Sequence, residues 1–279
     1  MRQIHVDAII SAVEALFIEA NIYLSENILN AIKDAIEKEE SPQGKEILRE
    51  LIKNAEIAEK EQLPVCQDTG LAVTFIEVGQ DVHIIGGSLS EAISEGVRSG
   101  YQKGYLRKSC CHPFTRKNTG DNTPPILHIK IVPGDVLKIT AMPKGGGSEN
   151  YGEVRMLVPS EGKEGVKSFA LDMVKKGGPN PCPPIIVGIG IGGNLETSAI
   201  LAKEALMVPL GIRNDDGELA EFELEILGEI NKTGIGPQGY GGTVTALDVH
   251  IKMLPCHIAS LPVAVNMQCH AHRIREIVL

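Results

Sequence analysis

The chain has 279 residues, of which 43% are hydrophobic and 23% are charged, a composition typical of a globular protein with one large or two modest domains. Its formal net charge of −9 argues against nucleic acids and anionic membrane surfaces as partners, because both require a basic face. We expect neither a signal peptide nor a membrane span, since no basic stretch precedes a long apolar run and no apolar run reaches about 18 residues. The expected location is the cytoplasm.

Three helices are predicted before the first strand. Within residues 3–20 the apolar side chains recur at helical spacing on one face: Ile9, Ala12, Val13, Leu16 and Ala20. A second helix is predicted from Ser25, its N-cap, to about Lys38. A third is predicted from Ser41-Pro42 to about Glu61, because proline suits the first helical turn.

Four strands are predicted in the middle of the chain. Leu71–Val78 and Val82–Ile85 flank a turn at residues 79–81, and Ile126–Val132 and Val136–Met142 are predicted to form a hairpin about residues 133–135.

Helices and strands then alternate. The remaining predicted elements are helices from Ser88 to Gly100 or Gly104, Glu164 to Lys176, Leu195 to Met207 (capped by Asn194) and 216–233, and strands Pro184–Gly193, Thr243–Met253 and Ile258–Val265. The pattern of N-terminal helices followed by alternating helices and mixed sheets predicts an α/β fold, with a mixed α+β fold as the alternative. We expect residues 1–279 to form a single catalytic domain, with a division into two subdomains as the alternative.

Three thiols lie in rigid turns beside polar groups. Cys66 opens the segment Cys66-Gln67-Asp68-Thr69-Gly70, Cys182 lies in a proline-rich turn at residues 178–184, and Cys269 precedes His270. We hypothesise that these three thiolates meet around one cofactor. A small buried apolar residue is the alternative for any one of them.

The composition of two further loops indicates a functional role. Residues 105–125 form a long polar connection, and long ordered loops are usually functional. Lys144–Asn150 contains three consecutive glycines, whose backbone N–H groups can approach a ligand. A flexible connector is the equal alternative for this second loop.

The segment Gly188–Gly193 satisfies the dinucleotide-binding fingerprint, since it follows a predicted strand and precedes a helix. The next apolar run is short and broken by Pro209, so a second strand ending in a ribose-binding acid is poorly supported. Tight packing of a helix on a strand is our preferred explanation for the glycines.

Other kinds of cysteine chemistry are open. Zinc sites normally contain close ligand pairs, which these distant thiols do not form. A nucleophile at Cys269 beside His270 is another alternative, although adjacent residues of a strand point to opposite faces. Three isolated thiolates suit an iron–sulfur cluster better, because three of them leave one iron open for substrate.

Together these motifs resemble the class I, iron–sulfur fumarate hydratases. The resemblance rests on Cys66–Gly70, on residues 178–184 with their following glycine-rich strand, on Asn118–Pro124, and on His257 through Arg273, in the order of the family. Single-chain members continue into a second domain that this sequence lacks, so the chain resembles the separate alpha subunit of the two-subunit enzymes. The related tartrate dehydratase alpha subunit shares these motifs.

The resemblance implies a cofactor and its ligands. Cys66, Cys182 and Cys269 would bind three irons of a [4Fe-4S] cluster, whose fourth iron would act as a Lewis acid on the substrate hydroxyl. Three further residues would support the cluster: His270, His272 and Arg273.

The resemblance also implies site residues. Asp68 and His257 would handle protons, with an Asx-type turn contact as the alternative for Asp68 and a structural histidine as the alternative for His257. Substrate contacts are implied for four residues: Gln67, Arg107, Gly146 and Gly147. A guanidinium can hold a carboxylate through two hydrogen bonds, although a solvated surface arginine is the usual alternative.

The implied function is the reversible hydration of fumarate to L-malate, a step of the tricarboxylic acid cycle, in a site completed by a beta subunit. A heterotetramer built on an alpha dimer is the implied assembly, and a small dicarboxylate is the implied substrate. L-tartrate dehydration is the alternative. From other classes, the alternatives are a nicotinamide-dependent oxidoreductase using Gly188–Gly193 and a metal-stabilised interaction module.

Overall fold

Local helix signals place most helices close to their predicted positions in the computed structural model, which describes residues 2–279. The helices are α1 (Val6–Ile22), α2 (Glu26–Lys38), α3 (Pro42–Glu61), α4 (Leu89–Lys103), α5 (Gly146–Glu149), α6 (Gly162–Gly177), α7 (Leu195–Ala205) and α8 (Gly217–Asn231). The strands are β1 (Arg2–His5), β2 (Leu71–Gly79), β3 (Val82–Ile85), β4 (Ile126–Val132), β5 (Leu137–Lys144), β6 (Glu153–Leu157), β7 (Ile185–Gly193), β8 (Ala246–Cys256), β9 (Leu261–Gln268) and β10 (Arg275–Val278). The predicted caps Ser25 and Asn194 are confirmed, since each side chain accepts a main-chain N–H of its helix.

Contacts divide the chain into two compact units. The first unit contains residues 1–24, 54–146 and 273–279, and the second contains residues 25–53 and 147–272. Each unit combines helices with a four-stranded mixed sheet, which confirms the predicted α/β class. The expectation of a single catalytic domain stays a prediction.

In the first unit, the sheet has the order β10-β5-β2-β4. Strand β2 is parallel to β4 and antiparallel to β5. Helices α1 and α4 supply Val13 and Val97 to the core, and the sheet supplies Ile76 and Ile139. Because β2 follows directly from the Cys66–Gly70 segment, the central part of this sheet supports that segment.

The two strands predicted on either side of the turn at residues 79–81 are confirmed as β2 and β3, and β3 pairs in parallel with β1. One predicted strand pairing is wrong. Strands β4 and β5 do not form a hairpin, because β2 lies between them. A turn signal marks where the chain reverses, whereas burial on both sides of β2 decides which strands flank it. The first predicted helix is also too long at its start, since Arg2–His5 form β1.

In the second unit, the sheet has the order β6-β9-β7-β8, with β7 parallel to β8 and antiparallel to β9. Val187 and Ile189 of β7 pack in the core with Phe169 of α6 and Phe222 of α8. Strands β8 and β9 each begin three residues later than predicted. Strand β6 was not predicted, and neither was β10 of the first unit.

Residues Val6–Lys38 are long and apolar enough to cross a membrane by length and composition alone, so the expectation that no such stretch exists is wrong. The stretch is interrupted at residues 23–25 and forms α1 and α2. Ile9 and Val13 of α1 and Ile32 of α2 are fully buried within the protein, and core helices pass the same test of length and composition as membrane spans. The stretch is therefore weak support for a membrane helix.

Candidate active site

The Cys66–Gly70 loop connects α3 to β2 in the first unit, and its last residue requires glycine. Gly70 has φ +77°, and a Cβ atom there would lie 2.7 Å from the main-chain N and C atoms of Lys144. Only glycine combines this backbone conformation with so close an approach. The backbone of the loop therefore packs directly against the C-terminal end of β5.

Two buried side chains hold the main chain of this loop. The hydroxyl of Tyr101 lies 2.8 Å from the carbonyl oxygen of Thr69 and 2.9 Å from that of Gly70, and Asn122 Nδ2 donates to Gly70 O at 3.2 Å. Burial raises the pKa of Tyr101, so the hydroxyl remains a donor. Buried carbonyl groups that are fully bonded keep a loop in one conformation.

Asp68 is the most constrained polar side chain of the loop. Its Oδ1 accepts the N–H of Gly70 at 3.0 Å, and its Oδ2 accepts the N–H of Gly146 at 2.8 Å. The first bond is the Asx-type contact considered as the alternative for Asp68. The second bond uses the N–H of Gly146, one of the groups predicted to bind substrate. The half-buried carboxylate therefore has a defined orientation.

Gln67 and Arg107 are both exposed in the same unit. Gln67 Oε1 lies 3.5 Å from Cys66 Sγ. The carbonyl of Arg107 accepts the hydroxyl of Thr69 at 2.9 Å, so the main chain at Arg107 lies beside the loop. The structure thus brings together Cys66, Gln67 and Asp68 with the backbone of Arg107 and Gly146.

The 105–125 segment is ordered by its own polar groups. Asn122 Oδ1 accepts the N–H groups of Ser109 and Cys110, at 2.6 and 3.0 Å. Burial alone would raise the pKa of Asp121, but hydrogen bonds from Thr123 and Arg98 lower it to about 2. The backbone that carries Arg107 is therefore part of an ordered segment.

In the second unit, the turns that contain Cys182 and Cys269 are bonded to each other. The N–H of His270 donates to the carbonyl of Cys182 at 3.4 Å, and His270 Nδ1 lies 3.1 Å from the same oxygen. Gln238 Nε2 donates to Pro183 O at 2.6 Å. Cys269 follows the last residue of β9 directly. Two of the three predicted ligands therefore lie in neighbouring turns.

The three cysteines have the chemistry that a thiolate-bound group needs. All three are half-buried, and Cys66 Sγ accepts the N–H of Asp68 at 3.4 Å. Within residues 2–279 no group of three or more His, Cys, Asp or Glu side chains is assembled as a metal-ligand set. The donor set fits an iron–sulfur cluster by its chemistry.

The remaining predicted residues lie in the second unit. Gly147 requires glycine, because a Cβ atom there would lie 2.8 Å from the carbonyl of Asn180 in the proline-rich turn. His257 is exposed in the short connection between β8 and β9, and its Nδ1 accepts the N–H of Ala259 at 3.1 Å. It lines a cavity of about 410 Å³ together with Phe222 and Ile258.

The glycine-rich strand is explained by packing. A Cβ atom at Gly188 would lie 2.1 Å from the carbonyl of Ala202, and one at Gly190 would lie 2.0 Å from that of Ser198. Both carbonyl groups belong to α7, so the helix rests on the strand backbone. The preferred interpretation of these glycines is confirmed, and the fingerprint needs no dinucleotide to account for it.

Sequence reasoning missed the residues that hold the Cys66–Gly70 loop. Tyr101 carried no signal beyond its place in a helix. Asn122 lies within the family-like segment Asn118–Pro124, which could have indicated it. Of the three residues expected to support a cluster, His272 Nε2 lies 2.6 Å from the carbonyl of Leu206, while Arg273 belongs to the first unit.

Comparison with known families decides the assignment. A family model described as fumarate hydratase (Fumerase) matches residues 10–278. The chain belongs to the fumarate hydratase family. It is therefore a hydro-lyase, and this family of hydro-lyases generally uses a [4Fe-4S] cluster.

Individual relatives of this fumarate hydratase family member are alpha subunits by name. A protein of Methanocaldococcus jannaschii provisionally named L(+)-tartrate dehydratase subunit alpha is 44% identical over 266 residues, covering 92% of this chain and 93% of the relative. The L(+)-tartrate dehydratase subunit alpha of Escherichia coli UTI89 is 35% identical over 254 residues, covering 90% and 84%. The protein of the same name from Escherichia coli K12 is 34% identical with the same coverage.

Proposed function

We propose that this chain is the alpha subunit of a two-subunit iron–sulfur hydro-lyase that interconverts fumarate and L-malate. The observation that carries the proposal is the Cys66–Gly70 loop. It holds a thiol that accepts an N–H and a carboxylate oriented by Gly146 within one immobilised segment. Membership of the fumarate hydratase family supports the substrate pair, and the names of the alpha-subunit relatives support a beta subunit. We propose two copies of each subunit in the assembly.

Cys66, Cys182 and Cys269 would hold a [4Fe-4S] cluster, which would supply Lewis-acid chemistry to the substrate carboxylate and hydroxyl. Dehydration breaks a C–H bond and the neighbouring C–O bond, so the proton needs an acceptor on the protein. In this proposal Asp68 handles or orients that proton, because its carboxylate is half-buried and held at both oxygens. His257 is the second proton-handling group, exposed in the connection between β8 and β9.

Substrate carboxylates are bound by the exposed polar groups in this proposal. Arg107 forms a bidentate pair with one carboxylate, and the amide of Gln67 donates to the substrate. Gly146 and Gly147 offer backbone N–H groups to a carboxylate, with the N–H of Gly146 shared between the substrate and Asp68 Oδ2. The beta subunit supplies the rest of the site.

L(+)-tartrate is the second candidate substrate, and a specific observation favours it. The relatives at 44%, 35% and 34% identity are all named as tartrate dehydratase alpha subunits. Tartrate differs from malate by one hydroxyl group, so one additional hydrogen-bonding group in the site would discriminate between them.

The decisive experiment reconstitutes the chain with its beta subunit under anaerobic conditions with iron and sulfide. Malate, fumarate and the tartrate stereoisomers are then assayed separately. Activity on malate and fumarate is the expected result, whereas activity confined to L(+)-tartrate would replace the first candidate with the second. A complex that holds a cluster but turns over none of these substrates would refute both.

The ligand assignment has its own test. We expect Cys66→Ser, Cys182→Ser and Cys269→Ser each to lose cluster absorbance and most of the bound iron. Cys110→Ser is the matched control, because Cys110 is half-buried like the three proposed ligands but is not one of them. Full iron content in any of the three ligand variants would remove that residue from the set.

A further inference from the structure

Arg273 is a buried cation in the first unit, with only 2% of its surface exposed. A buried guanidinium destabilises a protein unless hydrogen bonds compensate for its lost hydration. Its Nη1 donates to Asn21 Oδ1 at 3.0 Å and also to the carbonyl of Asp68, both uncharged acceptors. Its Nε has no hydrogen-bond partner within residues 2–279. Because burying this charge costs desolvation free energy, its retention indicates that Arg273 has a role beyond filling the core.

Asn21 connects this guanidinium to the chain on both sides of Cys66. The side chain of Asn21 is fully buried, and its Nδ2 donates to the carbonyl of Phe17 in α1 at 2.9 Å. The main-chain carbonyl of Asn21 accepts the N–H of Val65 at 2.8 Å. Helix α1 therefore contacts the loop before Cys66 directly, and contacts Asp68 through Arg273.

The guanidinium and the Asp68 carboxylate also share a glycine. A Cβ atom on Gly145 would lie 3.1 Å from Arg273 Nη2 and 3.2 Å from Asp68 Oδ2. The next residue, Gly146, donates its N–H to the same carboxylate oxygen. Arg273 thus lies beside the backbone of Asp68 and beside Gly145, the residue that precedes the glycine bonded to the Asp68 carboxylate.

We propose that Arg273 is a positioning residue for Asp68. Its planar guanidinium bonds the Asp68 carbonyl to Asn21 at the end of α1, and this fixes the main chain from which the Asp68 carboxylate projects towards Gly146. The inference rests on the proposed function of Asp68 in proton handling. A lysine keeps the charge but lacks the rigid fork of donors, so it does not replace arginine here.

The first test uses the complex with the beta subunit and the variants Arg273→Met and Arg273→Lys. We expect kcat for malate dehydration to fall about 10- to 100-fold in both, the loss typical of one hydrogen bond to a charged group, while KM changes less than about threefold. Arg275→Met is the matched control, because Arg275 donates to the carbonyl of Tyr23 at 2.8 Å in the same segment. Wild-type kcat in Arg273→Lys, or an equal loss in Arg275→Met, would overturn the proposal.

The second test needs no activity. We expect the amides of Asp68 and Gly70 to exchange hydrogen at least about tenfold faster in Arg273→Lys than in the wild-type chain, with the amide of Ile189 in the second unit unchanged. Arg273→Met is measured as well if its thermal unfolding shows that the variant is folded. If it is not folded, Arg273→Lys alone decides the test. Unchanged exchange at Asp68 would reject positioning by Arg273. A wild-type complex inactive on every substrate would reject the proposed function instead.

Discussion

Replacement of Gly190 by alanine tests how closely α7 rests on β7. The added Cβ atom would lie 2.0 Å from the carbonyl oxygen of Ser198, 2.6 Å from the N atom of Ala202 and 2.8 Å from Cβ of Leu201. Two of these three atoms are backbone, so a change of rotamer cannot relieve the overlap. The helix must move away from the sheet by about 1 Å to restore van der Waals separation.

The expected loss follows from this displacement. Overpacking of a filled interior costs about 1–3 kcal/mol, and backbone contacts place Gly190→Ala at the upper end. Alanine reduces the entropy of the unfolded chain and returns about 0.5–1 kcal/mol. We expect the free energy of unfolding to fall by about 2 kcal/mol, which corresponds to a decrease in Tm of roughly 3–4 °C for a chain of this size.

The assay is urea unfolding followed by circular dichroism, together with a thermal scan. Gly228→Ala is the matched control, because Gly228 lies inside α8 and its added Cβ would meet no described heavy atom within 4 Å. This control should gain up to about 1 kcal/mol from helix propensity. If Gly190→Ala proves as stable as Gly228→Ala, the close contact between α7 and β7 does not exist.

Three further changes have defined outcomes. Tyr101→Phe removes the hydroxyl that bonds two loop carbonyls and should lower the free energy of unfolding by about 1–2 kcal/mol, measured by urea unfolding; an unchanged midpoint would contradict this role. Burial alone would raise the pKa of Glu39, but main-chain N–H groups, including those of residues 41, 243 and 244, lower it. The ionised Glu39 carboxylate therefore contributes its full stabilisation to the folded chain above pH 4.5, and this contribution is lost as the pH falls through the lowered pKa. Glu39→Gln should be less stable than wild type at pH 7, and the difference should shrink progressively below pH 4.5. A difference in stability that does not depend on pH would refute this. Lys203→Met breaks a pair with Glu149 at 2.5 and 2.6 Å and should raise hydrogen exchange in α5, whereas Lys175→Met should not.

The candidate site was only partly accessible from the sequence. The Cys66–Gly70 loop was recognised because its polar residues are contiguous in the sequence and form one motif. Tyr101 and Asn122 were missed as its supports because they are 31 and 52 positions from Gly70, and nothing in their local sequence indicates burial against it. Arg273 was expected beside a cluster, but its bond to Asp68 depends on a contact across 205 positions.

The sequence by itself determined the helices other than α5, the caps Ser25 and Asn194, and the positions of the strands β2, β3, β4 and β7. Helical periodicity and capping act within a few residues, so Ser25 and Asn194 could be assigned from their neighbours alone. Only the tertiary structure decided that β2 separates β4 from β5 and that β3 pairs with β1. Strand partners and buried polar contacts are selected by the burial of residues far apart in the chain, and that selection exists only after the chain has folded.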